Sequence, residues 1–245
     1  MKIDLNCDMG EDMGDDAAML QIVSSANVAC GAHAGSPLTM ARTMENAVAN
    51  NVGIGAHPGF FDRENFGRTE CHLQDAELDA IVRYQVAAAH GMATALGANL
   101  THLKLHGAMA NMATKDADMA LVCYRAARSV VPELPLMVIA GTAQATAANQ
   151  LGGRVINEIF ADRTYEPDGT LTPRRIEGSV IHDADLAANR VVQMLKDGAI
   201  TPRVGDAIRL SIDTICVHGD TPGAVQMAGV IRDRLIENGF KIERF

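Results

Sequence analysis

The sequence predicts an α/β fold: a (β/α) barrel of about seven parallel strands, formed by one domain over residues 1–245. Three observations carry that prediction. Short β-rich runs alternate with helical stretches about seven times, and parallel neighbours need such crossover connections. Each run has one apolar face and one polar or very small face, whereas a strand covered by helices on both sides reads as apolar throughout. Histidines and carboxylates gather where the runs end, and barrel enzymes draw catalytic residues from the C-terminal ends of several strands.

Side chains alternate along a strand, so residues of equal parity share a face. In residues 2–8, Ile3, Leu5 and Cys7 oppose Asp4, Asn6 and Asp8. In 27–33, Val28, Cys30 and Ala32 oppose Asn27, Ala29, Gly31 and His33. In 52–57, Val52, Ile54 and Ala56 oppose Gly53, Gly55 and His57, and the small residues of these two strands leave room for a ligand. In 102–106, Leu103 and Leu105 oppose His102, Lys104 and His106. Runs 134–140 and 155–162 follow, the second placing Glu158 and Asp162 on one face. The last, 212–218, sets Ile215 and Val217 against Thr214, Cys216 and His218. The polar sets face a shared lumen.

Helices between the strands have legible punctuation. Ser36 caps one with Pro37 at its first position, and Leu38, Ala41, Met44 and Val48 form its apolar stripe. The next runs from about 75 to 96 and stops at Gly97. Asp183 caps another that ends near Gly198, and Thr221 with Pro222 begins the last, which Gly239 closes.

Composition narrows the function classes. Apolar residues are 48% and charged residues 21%, as in a soluble globular protein. No apolar run approaches the roughly 20 residues that span a bilayer, and the acidic N-terminus lacks a signal-peptide core. Five cysteines without a CxxC pair suggest neither disulfide framework nor thiolate zinc site, so a reducing cytoplasm is expected. The net charge of −9 argues against nucleic acid or an anionic membrane as partner. With no Trp and only 4% aromatics, stacking platforms for single strands are missing too. There is no HExxH, GxSxG or GxxxxGK[ST], so any ATP used is not held by a P-loop of this chain.

Six candidates stand at strand ends: Asp8, His33, His57, His106, Asp162 and His218. Asp4, buried in a barrel, needs a partner, and Lys104 or a histidine is the expected one. Lys104 points inward, where its charge must be paired, and suits a substrate carboxylate or a carbonyl to be polarised. Arg163 adjoins Asp162 and suits a carboxylate or phosphate clamp, while Arg174 and Arg175 read as a solvated loop. The segment after His218 opens a helix whose N-terminus favours an anion, with Asp220 as ligand contact or simple cap.

Six segments, DLNCDMGE, NVACGAHAG, GAHPGFFDRENFGR, KLHGAMAN, EIFADRTYEPDGTLTPR and ICVHGDTP, resemble the LamB/YcsF family in order and across essentially the whole chain. Leu105, Met109 and Ala110 depart from the family's KPHGALYN, and Ala32 replaces its common phenylalanine. Lys104, His106 and Asn111 stay in place. The resemblance implies a seven-stranded barrel akin to polysaccharide deacetylases. It also implies ATP- and Mg2+-dependent cleavage of 5-oxoproline (pyroglutamate) to glutamate, together with 5-oxoprolinase subunits B and C. On that reading Asp8, Glu11, His57 and His106 supply a general base and its orienting partner, and Lys104 and Arg163 meet anionic groups. Asn6, His33, Glu158, Asp162, His218 and Asp220 then contact the substrate. Two other readings stand beside it. One is a metal-dependent, deacetylase-like amidohydrolase with a divalent ion on Asp8, His33, His57 and His106; the other is a non-catalytic subunit that binds a small lactam.

Overall fold

The computed structural model describes residues 1–219 and 223–245. Along the chain, β1 (Lys2–Met9) leads through the short α1 (Asp16–Met19) to β2 (Ser25–Ala29), α2 (Pro37–Ala49), β3 (Gly53–His57), α3 (Asp75–Ala95) and β4 (Leu100–Lys104). Helices α4 (Gly107–Ala113) and α5 (Ala117–Val130) precede β5 (Leu136–Ile139), and α6 (Ala143–Leu151) precedes β6 (Val155–Phe160). A long excursion follows to α7 (Ala184–Asp197) and the antiparallel pair β7 (Ala199–Ile200) and β8 (Ile208–Arg209). The chain ends through β9 (Thr214–Val217), α8 (Ala224–Glu237) and β10 (Lys241–Ile242). Strands β1 to β6 pair in parallel in sequence order, and β9 pairs with both β6 and β1. That closes a barrel of seven parallel strands, with β10 added beside the start of β1.

The predicted parity holds where the backbone is strand. Outward residues such as Leu5, Val28, Leu103, Ile159 and Ile215 are fully buried, packed in one cluster with Val82 and Val86 of α3, Tyr124 of α5, Val191 of α7 and Ile231 of α8. Each aliphatic side chain buried this way contributes about 1.5–3 kcal/mol relative to exposure. Inside, a small separate cluster of Ile139, Phe160 and Cys216 shares the lumen with the polar set.

Below the site the lumen is a hydrogen-bonded polar column. Asp4 accepts from the hydroxyls of Ser24 (2.6 Å), Ser25 (2.7 Å) and Thr214 (2.5 Å). The expected partner, Lys104 or a histidine, is therefore replaced by three neutral donors. Burial still pushes the Asp4 carboxyl above its ordinary value, with those hydroxyls pulling against it. Asn6 Nδ2 donates to Thr214 Oγ1, Asn27 Nδ2 to both Asn6 Oδ1 and Asp8 Oδ1, and His102 Nε2 to Asn27 Oδ1 at 2.6 Å. The room that glycine leaves in β3 is not a ligand site: a Cβ on Gly55 would stand 2.1 Å from His102 Nε2, so the histidine ring fills it.

Three expectations need correction. The second strand stops at Ala29, and Gly31 turns at φ +85°, so His33 is carried by a loop and parity does not place it. The fourth strand ends at Lys104, and His106 is the N-cap of α4. In α2, Ser36 does cap and Pro37 does open the helix, but the buried residues are Met40, Thr43, Met44 and Ala47, while Leu38 and Val48 are 59% and 44% exposed. Both stripes repeat at three- and four-residue spacing, and packing against the barrel selects the second. The ends at Gly97, Gly198 and Gly239 stand, each glycine having positive φ. Thr221 and Pro222 lie outside the described residues.

Candidate active site

At the C-terminal end of the column sits a buried ammonium with two carboxylates. Lys104 Nζ lies 2.8 Å from Asp8 Oδ1 and 2.8 Å from Glu158 Oε1, and it also reaches Asn6 Oδ1 and Cys216 Sγ. β1, β4 and β6 supply these groups from inward positions fixed by strand register. Burial by itself would lower the Lys104 pKa, but the negative partners, Asp8 first, hold it well above its usual value. Burial likewise opposes the charge on Asp8, yet His57 and Lys104 hold its carboxyl well below the usual range. Glu158 goes the other way: burial raises it, and the Lys104 charge only partly offsets this. Two carboxylates on one lysine are thus driven apart, the condition that separates base from spectator.

Beside this group, donor atoms of Glu11, His33, His57 and His106 all lie within 4.8 Å of one another, and all four residues are buried. His57 Nδ1 meets the Lys104 carbonyl at 2.8 Å and His106 Nε2 meets the Phe66 carbonyl at 2.8 Å. Carbonyls only accept, so these nitrogens carry the hydrogens. The two remaining nitrogens face each other at 3.1 Å, with Glu11 Oε1 3.4 Å from His106 Nδ1 and 3.1 Å from His33 Nε2. The His33 and His106 rings stack 3.6 Å apart. Burial first, then the neighbouring histidines, push His33 far down and His106 down to about 3, so both are neutral. Three imidazoles and one carboxylate whose ligand atoms converge on one point are a donor set for a transition-type divalent ion. The carboxylate of this cluster is Glu11; Asp8, expected there, instead lies 3.4 Å from His57 Nε2 while gripped by Lys104.

A cavity of about 640 Å³ opens above these groups. Asp8, Glu11, His57, Lys104, His106, Glu158, Arg163 and His218 line it, eight of the twelve expected residues. Asn6, His33 and Asp162 stand just behind the wall: Asn6 in the column, His33 under His106, and Asp162 with both oxygens 2.8 Å from His218 Nδ1. Asp220 lies outside the described residues. The Arg163 guanidinium, expected as a clamp for substrate, is spent on its own chain, with Nη2 on the Thr172 carbonyl and Nε on the Ser179 carbonyl.

Other contributors are not read from the sequence. Phe66 holds φ +58°, which aims its carbonyl at His106. Its loop is knotted around Asp62, which accepts from Asn65 Nδ2 and the Thr69 N–H, while Arg63 donates to the carbonyls of Gly31 and Gly35 and ties in the loop that carries His33. His72, Arg68 and Lys115 line the mouth. The available signal is the polar, glycine-punctuated run from Asp62 to Arg68.

A model of the LamB/YcsF family matches residues 3–245. The chain belongs to the LamB/YcsF family. It is 50% identical to the A subunit of 5-oxoprolinase from Ruegeria pomeroyi, in an alignment covering 100% of this chain and 98% of that protein. To the protein of the same name from Nitrobacter hamburgensis it is 44% identical, again over 100% and 98%. Among solved structures, the lactam utilization protein of Thermus thermophilus matches with a TM-score of 0.93 at 38% identity, covering 100% of both chains. A family 4 carbohydrate esterase from Streptomyces lividans matches with a TM-score of 0.50 at 12% identity over 98% of this chain and 91% of that one, a likeness of fold alone. A deacetylase, matched with a TM-score of 0.52 at 13% identity over 99% of this chain and 87% of that one, shares the fold in the same way. Among the described residues no helix is long and apolar enough to cross a membrane.

Proposed function

We propose that this chain is the lactam-opening A subunit of an ATP-dependent 5-oxoprolinase, one cytoplasmic domain that works with subunits B and C to convert 5-oxo-L-proline to L-glutamate. The observation that carries the reading is Lys104, paired with Asp8 and Glu158 at the floor of a cavity and flanked by Glu11 and three histidines. Full-length identity to proteins named as the A subunit of 5-oxoprolinase supports the substrate class.

The roles follow from the state of each group. Asp8, kept ionised by its neighbours, takes the proton of the attacking water. Lys104 Nζ stabilises negative charge as it develops on the oxygen of the ring carbon. His218, oriented through Nδ1 by Asp162, hands a proton to the ring nitrogen as the C–N bond breaks. Glu11, His33, His57 and His106 would hold a divalent ion, which when bound supplies Lewis acidity and a more acidic water. A lactam is an unreactive amide, so ATP with Mg2+ is needed to activate its oxygen.

The convergent donor set favours one further reading, a deacetylase-like amidohydrolase that uses its metal and no nucleotide. Glutamate release from 5-oxoproline separates the two, measured with this chain and co-purified partner subunits. The expected result is glutamate and ADP in equal amounts only when chain, partners and ATP are all present, and none with D8N. Chelator-sensitive amide hydrolysis without ATP would establish the second reading. Glutamate formation by the partners alone would refute the first.

A further inference from the structure

The charged groups of the cavity form two layers. At the floor, Lys104 is matched by Asp8 and Glu158. At the mouth, Arg68, Lys115, Arg174 and Arg175 are exposed in the wall against Glu70, with Arg163 buried behind them. Asp116, also in this wall, is turned to cap α5 through the N–H groups of Asp118 and Met119, and Asp168, near enough to Lys115 to feel its charge, accepts from Thr170. The mouth is therefore basic on a chain whose net charge is −9.

This basic edge is built. Arg163 holds the segment that carries Arg174 and Arg175, through the Thr172 and Ser179 carbonyls and a bridge to Val180, and Ser179 Oγ donates to the Arg174 carbonyl at 3.2 Å. Arg163 is lowered to about 10, by burial first and then by the like charge of Arg174. The field of these two guanidiniums also acts on Asp162: burial raises its carboxyl, but His218, Arg163 and Arg174 hold it below its ordinary value. The cavity of about 640 Å³ also far exceeds what a five-membered lactam with one carboxylate fills. A phosphoryl group, with three oxygens and nearly two charges, matches planar guanidinium forks. The chain has no glycine-rich phosphate loop for a nucleoside triphosphate.

We propose that the mouth is a phosphoryl site: Lys115, Arg174 and Arg175 hold the phosphoryl oxygens of an O-phosphorylated lactam made by a partner, while its ring carbon reaches Asp8 and Lys104. The proposal rests on the lactam reading above. It places this chain after a kinase-type reaction, in which the terminal phosphoryl group of a nucleoside triphosphate moves to the lactam oxygen, with release of the diphosphate and the proton of the ring nitrogen. Here one water then adds to the ring carbon and the ring C–N bond breaks. The electron pair and both water protons end on the nitrogen, which leaves an acyl phosphate. A second water converts that to carboxylate and inorganic phosphate, releasing one proton.

The test uses wild type and R174A/R175A, both arginines being exposed, with melting curves to confirm an intact fold. Calorimetric titration of the isolated chain uses inorganic phosphate, with acetate as the carboxylate control. Wild type should bind phosphate more tightly than acetate, and the double variant should bind phosphate at least about tenfold more weakly. In the complete mixture with partners and ATP, the variant should release glutamate at least about tenfold more slowly while lactam-dependent ADP formation continues, and R174K/R175K should recover part of the loss. If wild type makes glutamate, and the double variant makes it equally fast and binds phosphate equally well, the mouth is no phosphoryl site. A complete wild-type mixture that makes no glutamate refutes the lactam reading itself, and the proposal with it.

Discussion

His57 Nε2 and His106 Nδ1 face each other at 3.1 Å, and each ring has already given its other hydrogen to a backbone carbonyl. Without a proton or a metal cation between them these two nitrogens would repel, and Glu11 Oε1 adds an acceptor from the side. We therefore expect purified protein to carry about one divalent ion per chain by elemental analysis. Stripping it with chelator should lower the melting temperature, and H57A and H106A should each lose the ion. Protein that is metal-free as isolated, with a melt indifferent to added zinc, would mean that a shared proton fills the gap.

The Lys104 ammonium is 6% exposed and pairs with the buried Glu158 and the partly buried Asp8, so its loss is a structural event as well as a chemical one. Removing one partner of a buried ion pair typically costs about 3–5 kcal/mol because the remaining charge is stranded. K104A should therefore lose turnover and, by urea denaturation, about that much stability. D8N keeps a hydrogen-bond acceptor for Lys104, so it should lose turnover at a smaller cost in stability. If K104A proves as stable as wild type, Asp8 and Glu158 have found water or protons, and the ammonium is not what holds them.

The division between what can and cannot be read from the sequence follows backbone periodicity. Asp4, Asn6, Asp8, His57, Lys104 and Glu158 are legible because a strand's two-residue repeat leaves no choice of face once one residue is assigned. His33 and His106 reach the site although the strands meant to aim them have ended, their true supports being a turn at Gly31 and the cap of α4. That Glu11, and not Asp8, joins the histidines is not legible, since it lies past a strand end and beyond Gly10 at φ +70°. The Phe66 carbonyl and the mouth residues Lys115 and His72 belong to aperiodic segments, where only tertiary packing decides direction.

His102 sets a pH dependence of stability. Burial first, then the Lys104 charge, lowers it to about 3, against about 6.5 in an unfolded chain. As pH falls, the unfolded chain takes up this proton first. The stability present above about pH 6.5 is thus lost progressively as pH drops toward 3, and one such histidine costs about 2 kcal/mol by pH 5. Urea midpoints should fall from about pH 7.5 to pH 5, and H102Q, whose amide can still donate to Asn27 Oδ1, should fall less by about that amount. Parallel curves for the two proteins would show that His102 is protonated in the fold.

Gly67 tests whether the histidine cluster is set by crowding. It has φ +65°, and a Cβ there would stand 2.7 Å from His33 Cβ and 2.9 Å from His106 Cδ2. Its carbonyl also accepts from the Ala108 N–H at the start of α4. Alanine at a left-handed position costs about 1–2 kcal/mol wherever it is placed. At Gly97, with φ +71° and nothing within 4 Å, that strain is the whole effect. G67A adds a clash that must push the stacked His33 and His106 rings apart, and with them the nitrogens that face Glu11. G97A should therefore lower the melting temperature by a few degrees and keep full metal affinity. G67A should lower it further and bind metal at least about tenfold more weakly by competition with a chromogenic chelator. Equal metal affinity in the two variants would mean that the rings can shift without cost, and that the carbonyls of Lys104 and Phe66, more than the packing around Gly67, fix the cluster.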